Sequence, residues 1–199
     1  YGDNLNTITK EEFNKKLPKN VKFYYEAKDL IKLNFVKKLI TNDNIVNLAR
    51  ITLGSEPILS NISCWWSFPS KVPDKKSAQW WHFDMDSPKW VKLFFYLDDC
   101  DNKNGPHVFI RGSHKDNSIP YFLRKKGYSR LNDIEINKFY DKKDIKEFTC
   151  KEGSLLIENS RGLHKGKQLI EGSRLMFNLE YSSSLFGDIS EIEVSSNLM

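Results

Sequence analysis

The chain contains the stretch Trp80-Trp81-His82-Phe83-Asp84. If these residues form a β-strand, successive side chains point to opposite faces of the strand. His82 and Asp84 then project from one face, while Phe83 points the other way. An imidazole and a carboxylate converge on one point in this arrangement, as two adjacent ligands of a divalent metal ion would.

A third ligand has to come from elsewhere in the chain. His164 is the candidate, and Arg174 follows it ten residues later. Two histidines and one carboxylate on one face of a metal ion, with the other positions open, are the ligands of non-haem Fe(II) oxygenases. The residues therefore predict a metal site made by His82, Asp84 and His164, and with it an oxygenase activity.

Length and composition describe one folded, globular domain. The chain has 199 residues, of which 39% are hydrophobic and 29% charged, and a chain of this length can bury a substantial core. Its longest apolar runs have the length of a β-strand, far below the roughly 20 residues that cross a bilayer. No signal-peptide pattern opens the chain. We therefore expect a single domain over residues 1–199, no membrane segment and a cytoplasmic location.

The net charge and the distribution of charged residues limit the kinds of ligand and partner that we expect. The net charge of +5 and the isoelectric point near 8.9 allow an anionic substrate or cofactor. Because the basic residues are interleaved with acidic ones and no recognition helix or RNA-binding motif is present, we do not expect a nucleic-acid partner.

The three cysteines, Cys64, Cys100 and Cys150, are odd in number and lack Cys-x-x-Cys spacing, so we expect reduced, packed thiols.

Residues 1–56 show helical patterns. Thr9 and Glu12 form a capping box at the start of the first predicted helix, and Gly54 closes the last. Between them, apolar residues recur at three- and four-residue spacing, which indicates an amphipathic helix. The predicted elements are helices over residues 9–16, 28–40 and 43–53 and a short strand over residues 21–25.

From residue 57 onward the pattern is extended, with many short strands separated by tight turns. Such a pattern favours an antiparallel sandwich or barrel, so we expect a mainly β fold with helices on the outside. Two segments interrupt the core of residues 57–181. The loop over residues 69–77 is a lid or a solvated connection, and an insertion over residues 116–147 would lie above the site. The predicted strands cover residues 58–68, 79–84, 90–98, 106–110, 153–158, 163–167 and 174–181.

Several motifs follow one another in a particular order. They are His82-x-Asp84, Asn-Gly-Pro-His-Val-Phe-Ile-Arg-Gly-Ser-His-Lys over residues 104–115, Gly-Ser-Leu-Leu-Ile over residues 153–157, and His164 with Arg174. Over roughly residues 57–181, this set resembles the phytanoyl-CoA dioxygenase family of Fe(II)- and 2-oxoglutarate-dependent oxygenases. The resemblance implies a double-stranded β-helix, a jelly-roll or cupin-like barrel with the N-terminal helices packed outside. One departure is Arg111, where the family usually has proline in a structural turn.

The resemblance implies a role for each site residue. His82, Asp84 and His164 would bind Fe(II), and Arg174 would bind the far carboxylate of 2-oxoglutarate, the co-substrate that is consumed together with O2. A guanidinium suits this task because its planar fork gives a carboxylate two parallel, charge-assisted hydrogen bonds, which a lysine would not reproduce. The implied reaction hydroxylates an unactivated C–H bond of a small molecule and releases succinate and CO2.

Alternation in the strand that follows Asp84 groups Lys92, Phe94 and Tyr96 on one face, and the resemblance turns this face inward. Phe94 would then form a wall of the co-substrate pocket, while Lys92 and Tyr96 would offer hydrogen bonds to 2-oxoglutarate or contact the substrate. The alternative is that all three are ordinary core and edge residues.

The two remaining histidines, His107 and His114, lie in a segment that forms a structural turn in the family. We expect neither of them to bind metal. Two other interpretations of the whole pattern stay open: a catalytically inactive jelly-roll binding protein, and a cupin-type metalloenzyme that does not use 2-oxoglutarate. Arg174 argues against the second, since such an enzyme needs no carboxylate anchor there.

The substrate itself and the oligomeric state stay open at this point. The determinants of the substrate are expected in residues 70–77 and 116–147. Basic residues in the second segment would suit an anionic substrate, although a solvated surface explains them equally well. They include Arg124, Lys125, Lys126 and Arg130.

Overall fold

The computed structural model describes residues 22–76, 78–85, 87–127 and 129–184. The helix predicted over residues 9–16 lies outside this part of the chain. None of the helices in the described residues is long and apolar enough to cross a membrane. In chain order the elements are β1 (Lys22–Tyr24), α1 (Ala27–Leu30), α2 (Asn34–Ile40), α3 (Asp43–Leu53), β2 (Ile58–Ser67), β3 (Trp90–Tyr96), β4 (His107–Ile110), α4 (Tyr121–Arg124), α5 (Asp133–Ile136), a short 3-10 helix (Lys142–Asp144), β5 (Ile145–Phe148), β6 (Leu155–Glu158), β7 (His164–Gly166) and β8 (Arg174–Ser182).

The strands form two antiparallel sheets. The larger sheet has the order β1-β2-β8-β3-β6, and the smaller has the order β5-β4-β7. Strands that are distant in sequence lie side by side: β8 pairs with both β2 and β3, and β4 pairs with both β5 and β7. This crossed connectivity is that of a jelly roll. The predicted mainly β fold is therefore confirmed.

The N-terminal helices pack on one face of the larger sheet, as predicted. Alternate residues of β2, β3 and β8 point toward the helices and form one buried apolar cluster with them. The opposite face of the sheet carries polar side chains as well as apolar ones, among them Lys92, Phe94, Tyr96 and Arg174. The helices contribute Leu30, Val36, Ile40, Ala49 and Leu53 to the cluster, and the sheet contributes Ile62, Cys64, Val91, Leu93, Phe177, Leu179 and Tyr181.

The amphipathic helix predicted over residues 28–40 is interrupted. It forms α1 and α2, with Leu33 in an extended conformation between them (φ −72°, ψ 126°). Leu30 and Val36 are both buried in the same cluster, yet in one continuous helix two residues six positions apart would point about 120° away from each other. The break lets both side chains face the sheet and leaves Phe35 exposed.

Helix α3 begins and ends as predicted. Its N-cap residue, Asn42, accepts hydrogen bonds from the backbone N–H groups of Asn44 (3.0 Å) and Ile45 (3.3 Å). Gly54 ends the helix with a φ of 67°, a left-handed conformation that glycine adopts without strain. The glycine signal is local in sequence, which is why the end of the helix could be predicted; the Asn42 cap was not predicted.

The strand predicted over residues 79–84 is reduced to isolated bridges. One bridge joins Trp81 to Leu131, and the other joins His82 to His164 of β7. Both are antiparallel. His82 therefore lies directly beside β7, at the edge of the smaller sheet.

The insertion over residues 116–147 packs against the smaller sheet, and part of it lies beside Asp84, where Asn117, Ile119 and Arg124 line a cavity. Its apolar side chains form a second buried cluster with residues of β4 and of the stretch around His82. These apolar residues are anchored to the side of the sheet that carries Val108 and Ile110, and the predicted position of the insertion above the site stays a prediction. The cluster contains Trp81, Phe83, Val108, Ile110, Ile119, Leu123, Leu131, Ile136 and Leu163.

The three cysteines are free, and their burial predicts an order of reactivity. Burial raises the pKa of Cys64 to about 12 and that of Cys100 to about 11, whereas Cys150 is only half-buried. Because the thiolate is the reactive form of cysteine, we expect iodoacetamide to modify Cys150 first and Cys64 only after unfolding. Peptide mass spectrometry over time measures the order, and early labelling of Cys64 in the folded protein would contradict this packing.

Candidate metal centre

The structure brings His82, Asp84 and His164 together. Nε2 of His82 lies 3.8 Å from Oδ1 of Asp84, and Nε2 of His164 lies 3.7 Å from Oδ2 of the same carboxylate. The centroids of the two imidazole rings are 4.2 Å apart, and all three side chains are buried. Within the described part of the chain, they are the one group of three or more histidine, cysteine or acidic residues whose ligand atoms all lie within 4.8 Å of one another.

Backbone hydrogen bonds hold the three residues in place. The N–H of His82 donates to the carbonyl of His164 (3.0 Å), and the N–H of His164 donates to the carbonyl of His82 (2.8 Å). Two residues further on, the N–H of Asp84 donates to the carbonyl of Ser160 (2.9 Å). Two segments that are far apart in sequence are thus locked together at the level of the backbone, before any metal is bound.

The orientation of each imidazole ring is also fixed. Nδ1 of His82 lies 2.8 Å from the carbonyl oxygen of Trp80, and Nδ1 of His164 lies 2.9 Å from that of Gly162. Because a carbonyl oxygen can only accept, each Nδ1 carries the proton, and the lone pair of the neutral ring is on Nε2. Both Nε2 atoms face Asp84.

These three side chains fit a single divalent metal ion. Bonds from histidine nitrogen or carboxylate oxygen to such an ion are about 2.0–2.2 Å long, so two ligands of one ion lie at most about 4.4 Å apart. The separations of 3.7 and 3.8 Å between Asp84 and the two histidines meet this limit.

The protonation states of the site also suit a metal. Burial and the neighbouring His164 lower the pKa of His82 well below its usual value. Burial alone would raise the pKa of Asp84, but His164, Lys92 and His82 together lower it to about 2. A neutral imidazole and an ionised carboxylate are the forms in which these side chains bind metals.

Lys92 lies on the inner face of the larger sheet, as alternation predicts. Its Nζ is 2.5 Å from Oδ2 of Asp84 and 3.5 Å from Oε2 of Glu180. Lys92 therefore holds one carboxylate oxygen of Asp84 from the side of β3. Its predicted contact with 2-oxoglutarate or with the substrate stays a prediction.

A second buried carboxylate, Glu158 at the end of β6, lies behind His164. Its Oε1 is 3.2 Å from Nδ1 of His164, and its Oε2 is 3.0 Å from Nε2 of His107. Burial alone would raise the pKa of Glu158, but the two histidines, His107 and then His164, reverse this effect and lower it. The sequence analysis missed Glu158. Its signal was an acidic residue that ends the apolar run Leu155-Leu156-Ile157 six positions before His164.

The other two histidines lie outside the triad. His107 contacts Glu158 and stacks on His164, with 5.7 Å between ring centroids. The ring of His114 lies beside that of Phe109, at 6.2 Å. His107 thus supports the site from behind without being one of the three grouped ligands.

Replacing Glu158 by Gln is expected to weaken metal binding. The Nδ1 proton of His164 is held by the carbonyl of Gly162, and the carboxylate of Glu158 places a negative charge 3.2 Å from the same nitrogen, on the side of the ring turned away from the metal position. Loss of such an outer-shell group typically costs about 10–100-fold in metal affinity. Calorimetric titration with Co(II) measures the change. Glu147, whose carboxylate pairs with Lys167 at 2.8 Å on the surface, gives the matched control Glu147→Gln, which should bind Co(II) like the parent. An unchanged affinity in a folded Glu158→Gln variant would show that Glu158 does not support the site.

Arg174 is a buried cation that has no counter-ion among the described residues. Its side chain is only 5% exposed, its Nε has no hydrogen-bond partner, and no carboxylate of the described residues pairs with it within 4 Å. Burial lowers the pKa of Arg174, but a guanidinium stays charged in proteins. A buried charge without a partner costs free energy. The position therefore fits an anionic ligand.

Phe94 and Tyr96 lie on the same face of the larger sheet as Arg174. Both are buried in an apolar cluster with Met176, which is two residues from Arg174 on β8. Phe94 stands 5.4 Å from the ring of His107, between centroids. Burial raises the pKa of Tyr96, which the guanidinium of Arg174 opposes. Phe94 therefore lies beside His107, and Tyr96 lies close enough to Arg174 to feel its charge. Their predicted contacts with a co-substrate stay predictions.

Lys22 is a further cation that the sequence analysis missed. It pairs with Ser67 on β2, and Ser67 pairs with Arg174 on β8, so the three residues form one row across the sheet. Burial and the charge of Arg174 lower the pKa of Lys22 to about 7. Two basic side chains therefore share this end of the inner face, and a bound anion would favour the charged form of Lys22.

The two crossed antiparallel sheets, with a His-Asp-His triad between them and a buried arginine nearby, define a jelly-roll protein with a candidate metal site. The sequence profile of the phytanoyl-CoA dioxygenase (PhyH) family matches residues 8–174. The chain belongs to this family, and the resemblance found in its sequence is confirmed. No curated protein matches the chain significantly.

Solved structures with a similar fold share little sequence with this chain. HygX from Streptomyces hygroscopicus, crystallised with nickel and 2-oxoglutarate, is 16% identical over 89% of this chain and 75% of its own, with a TM-score of 0.63. SnoN, a non-haem alpha-ketoglutarate-dependent epimerase from nogalamycin biosynthesis, is 18% identical over 81% of this chain and 62% of its own, with a TM-score of 0.56. EctD from S. alaskensis, crystallised with bound Fe, is 15% identical over 81% of this chain and 56% of its own, with a TM-score of 0.56. These similarities confirm the predicted jelly-roll fold.

Proposed function

We propose that this protein is an Fe(II)- and 2-oxoglutarate-dependent oxygenase that hydroxylates an unactivated C–H bond of a small molecule and releases succinate and CO2. The observation that carries the proposal is the combination of a buried His-Asp-His triad with a buried arginine for which the described part of the chain supplies no counter-ion. The ligand set is that of non-haem Fe(II) oxygenases. Membership of the PhyH family, and the iron, nickel and 2-oxoglutarate bound by proteins of the same fold, support it further.

Each residue has a defined task in this proposal. His82, Asp84 and His164 hold the iron, and Arg174 binds the far carboxylate of 2-oxoglutarate. When bound, iron and 2-oxoglutarate supply the oxidising chemistry: one oxygen atom of O2 enters succinate and the other enters the hydroxyl group of the product.

The contribution of the protein is positioning and exclusion of water. The carbonyl oxygens of Trp80 and Gly162 orient the two histidine rings through Nδ1. Lys92 holds Asp84 from the side, and Phe94 closes the interior beside His107. All the groups are set before the ligands arrive, so that little reorganisation is needed when they bind.

The buried guanidinium favours this proposal over the two alternatives. A cupin-type metalloenzyme that does not use 2-oxoglutarate has no use for a desolvated arginine without a counter-ion at position 174. A catalytically inactive binding protein has no need to keep three metal ligands and the arginine together. The outcome of the oxidation is a separate question: SnoN, which has a similar fold, is an epimerase, so product analysis has to accompany the activity assay.

An anaerobic titration with 2-oxoglutarate tests the proposal. We expect protein loaded with Fe(II) to develop a weak visible charge-transfer band that saturates at one 2-oxoglutarate per chain. Succinate, which lacks the keto oxygen, serves as the control and should give no band. After O2 is admitted, succinate should form from 2-oxoglutarate. Iron-loaded protein that binds no 2-oxoglutarate would favour the cupin-type alternative.

A further inference from the structure

A cavity of about 500 Å³ opens beside Asp84. It is bounded by the segment after Asp84, the start of β3, the turn that follows β4, helix α4 and the loop before β7. The size is that of a site for a small molecule. Its apolar wall is formed by Phe83, Met85, Pro88, Trp90 and Ile119.

The polar lining of the cavity is positively charged. Lys115, Arg124 and Arg161 line it together with His114, and among the described residues that line it Asp84 is the one carboxylate. The guanidinium of Arg161 lies 3.2 Å from Asp116, an acid whose side chain is 84% exposed.

The positive charges of Lys115 and Arg124 are less well neutralised by neighbouring groups than that of Arg161. Arg124 contacts the neutral amide of Asn117 at 3.4 Å, and neither cation pairs with a carboxylate of the described residues within 4 Å. Three cations thus face one concave space, where their fields add.

The cavity is a different space from the one that adjoins Arg174. Its lining includes neither Arg174 nor Phe94 or Tyr96, and it reaches the triad only through Asp84. An anion held here would therefore not compete with one held by Arg174. The two positions can be filled at the same time.

We propose that this cavity binds the primary substrate, and that the substrate is a small molecule with an apolar body and one oxyanion group, a carboxylate or a phosphate. Arg124, Lys115 and Arg161 bind the oxyanion. The apolar body lies against Trp90 and Ile119, so that one of its C–H bonds points toward the end of the cavity at Asp84. The assignment of this ligand as substrate depends on the proposed oxygenase function, whereas the anion site itself does not.

The test compares two probes of similar size, phenyl phosphate and benzyl alcohol, by calorimetric titration of the whole chain. The protein is loaded anaerobically with Fe(II) and saturating 2-oxoglutarate, which fills the neighbouring position, and the titration is repeated without either. Charge-assisted hydrogen bonds of the kind proposed contribute enough free energy for a change of about tenfold in affinity. We expect phenyl phosphate to bind at least about tenfold more tightly than benzyl alcohol, and to lose about that factor in Arg124→Gln and in Lys115→Gln.

The matched control is Lys125→Gln. Lys125 follows Arg124 directly, but its Nζ stands over the ring of Phe122 at 5.0 Å and it does not line the cavity. This variant should bind phenyl phosphate like the parent. Equal affinity for the two probes, or an unchanged affinity in both Arg124→Gln and Lys115→Gln, would overturn the anion site.

The anion site and the oxygenase function can be refuted independently of each other. Binding of phenyl phosphate that depends on Arg124, without a charge-transfer band, would refute the oxygenase and keep the anion site. A charge-transfer band without selective binding of phenyl phosphate would refute the anion site and keep the oxygenase.

Discussion

Asp84→Ala is expected to reduce iron-dependent succinate formation more strongly than the loss of a residue that only supports a metal ligand. Loss of such a supporting residue typically costs roughly 10–100-fold in metal affinity or activity. The variant removes the one carboxylate of the triad and leaves two neutral imidazoles, which bind Fe(II) weakly without an anionic ligand. The fold should persist, because Lys92 keeps Glu180 as a partner at 3.5 Å. The measurement is succinate released per chain at saturating 2-oxoglutarate, together with the iron content of the protein.

A nearby carboxylate provides the control for this variant. Asp133 accepts a hydrogen bond from Nε1 of Trp81 (2.6 Å) and pairs with Lys165 (2.6 Å), but it lies outside the triad. Asp133→Ala should therefore keep iron and activity. Undiminished succinate formation by Asp84→Ala, in protein whose iron content is measured, would falsify the assignment of Asp84 as a ligand.

Arg174→Leu is expected to abolish binding of 2-oxoglutarate without lowering the stability of the ligand-free protein. The guanidinium is buried and has no counter-ion among the described residues. Replacing a desolvated charge by an apolar side chain is often neutral or stabilising, whereas the far carboxylate of 2-oxoglutarate loses its bidentate partner. The expected pattern is an affinity loss of at least about a hundredfold, with an unchanged or higher Tm in the absence of 2-oxoglutarate.

Two further measurements sharpen this test. Ligand binding stabilises a folded protein by mass action, so 2-oxoglutarate should raise the Tm of the parent and not that of Arg174→Leu. Arg50, on α3, pairs with Glu56 at 2.7 Å. It gives the control Arg50→Leu, whose Tm should respond to 2-oxoglutarate as that of the parent does. A ligand-free Arg174→Leu variant that is several degrees less stable would indicate a structural role for Arg174 instead.

Much of the fold could be predicted from local sequence patterns. Side-chain alternation predicted that Lys92, Phe94 and Tyr96 share one face of β3, and Gly54 predicted the end of α3. These features depend on residues close together in sequence. The split of the helix predicted over residues 28–40 could not be predicted in this way, because it is imposed by the sheet against which Leu30 and Val36 are buried.

The triad was predicted from residue types and their order, although the local structure around it differs from the expected strand. A single bridge joins His82 to His164 of β7, and the N–H of Asp84 donates to Ser160 in the loop before β7. Alternation thus gave the right grouping within an incomplete strand. Glu158 escaped the analysis because its contacts with His164 and His107 arise only when three strands meet. The packing of the insertion could not be predicted because its apolar residues are irregularly spaced and become buried only against Val108 and Ile110 of β4.

The central claim is that His82, Asp84 and His164 bind one iron ion. Crystals grown anaerobically with Fe(II) and 2-oxoglutarate, measured on both sides of the iron absorption edge, test it most directly. We expect a single anomalous peak bonded to Nε2 of both histidines and to the carboxylate of Asp84, with 2-oxoglutarate extending from it toward Arg174. A peak bonded to other residues, or His164 standing apart from the ion, would contradict the claim.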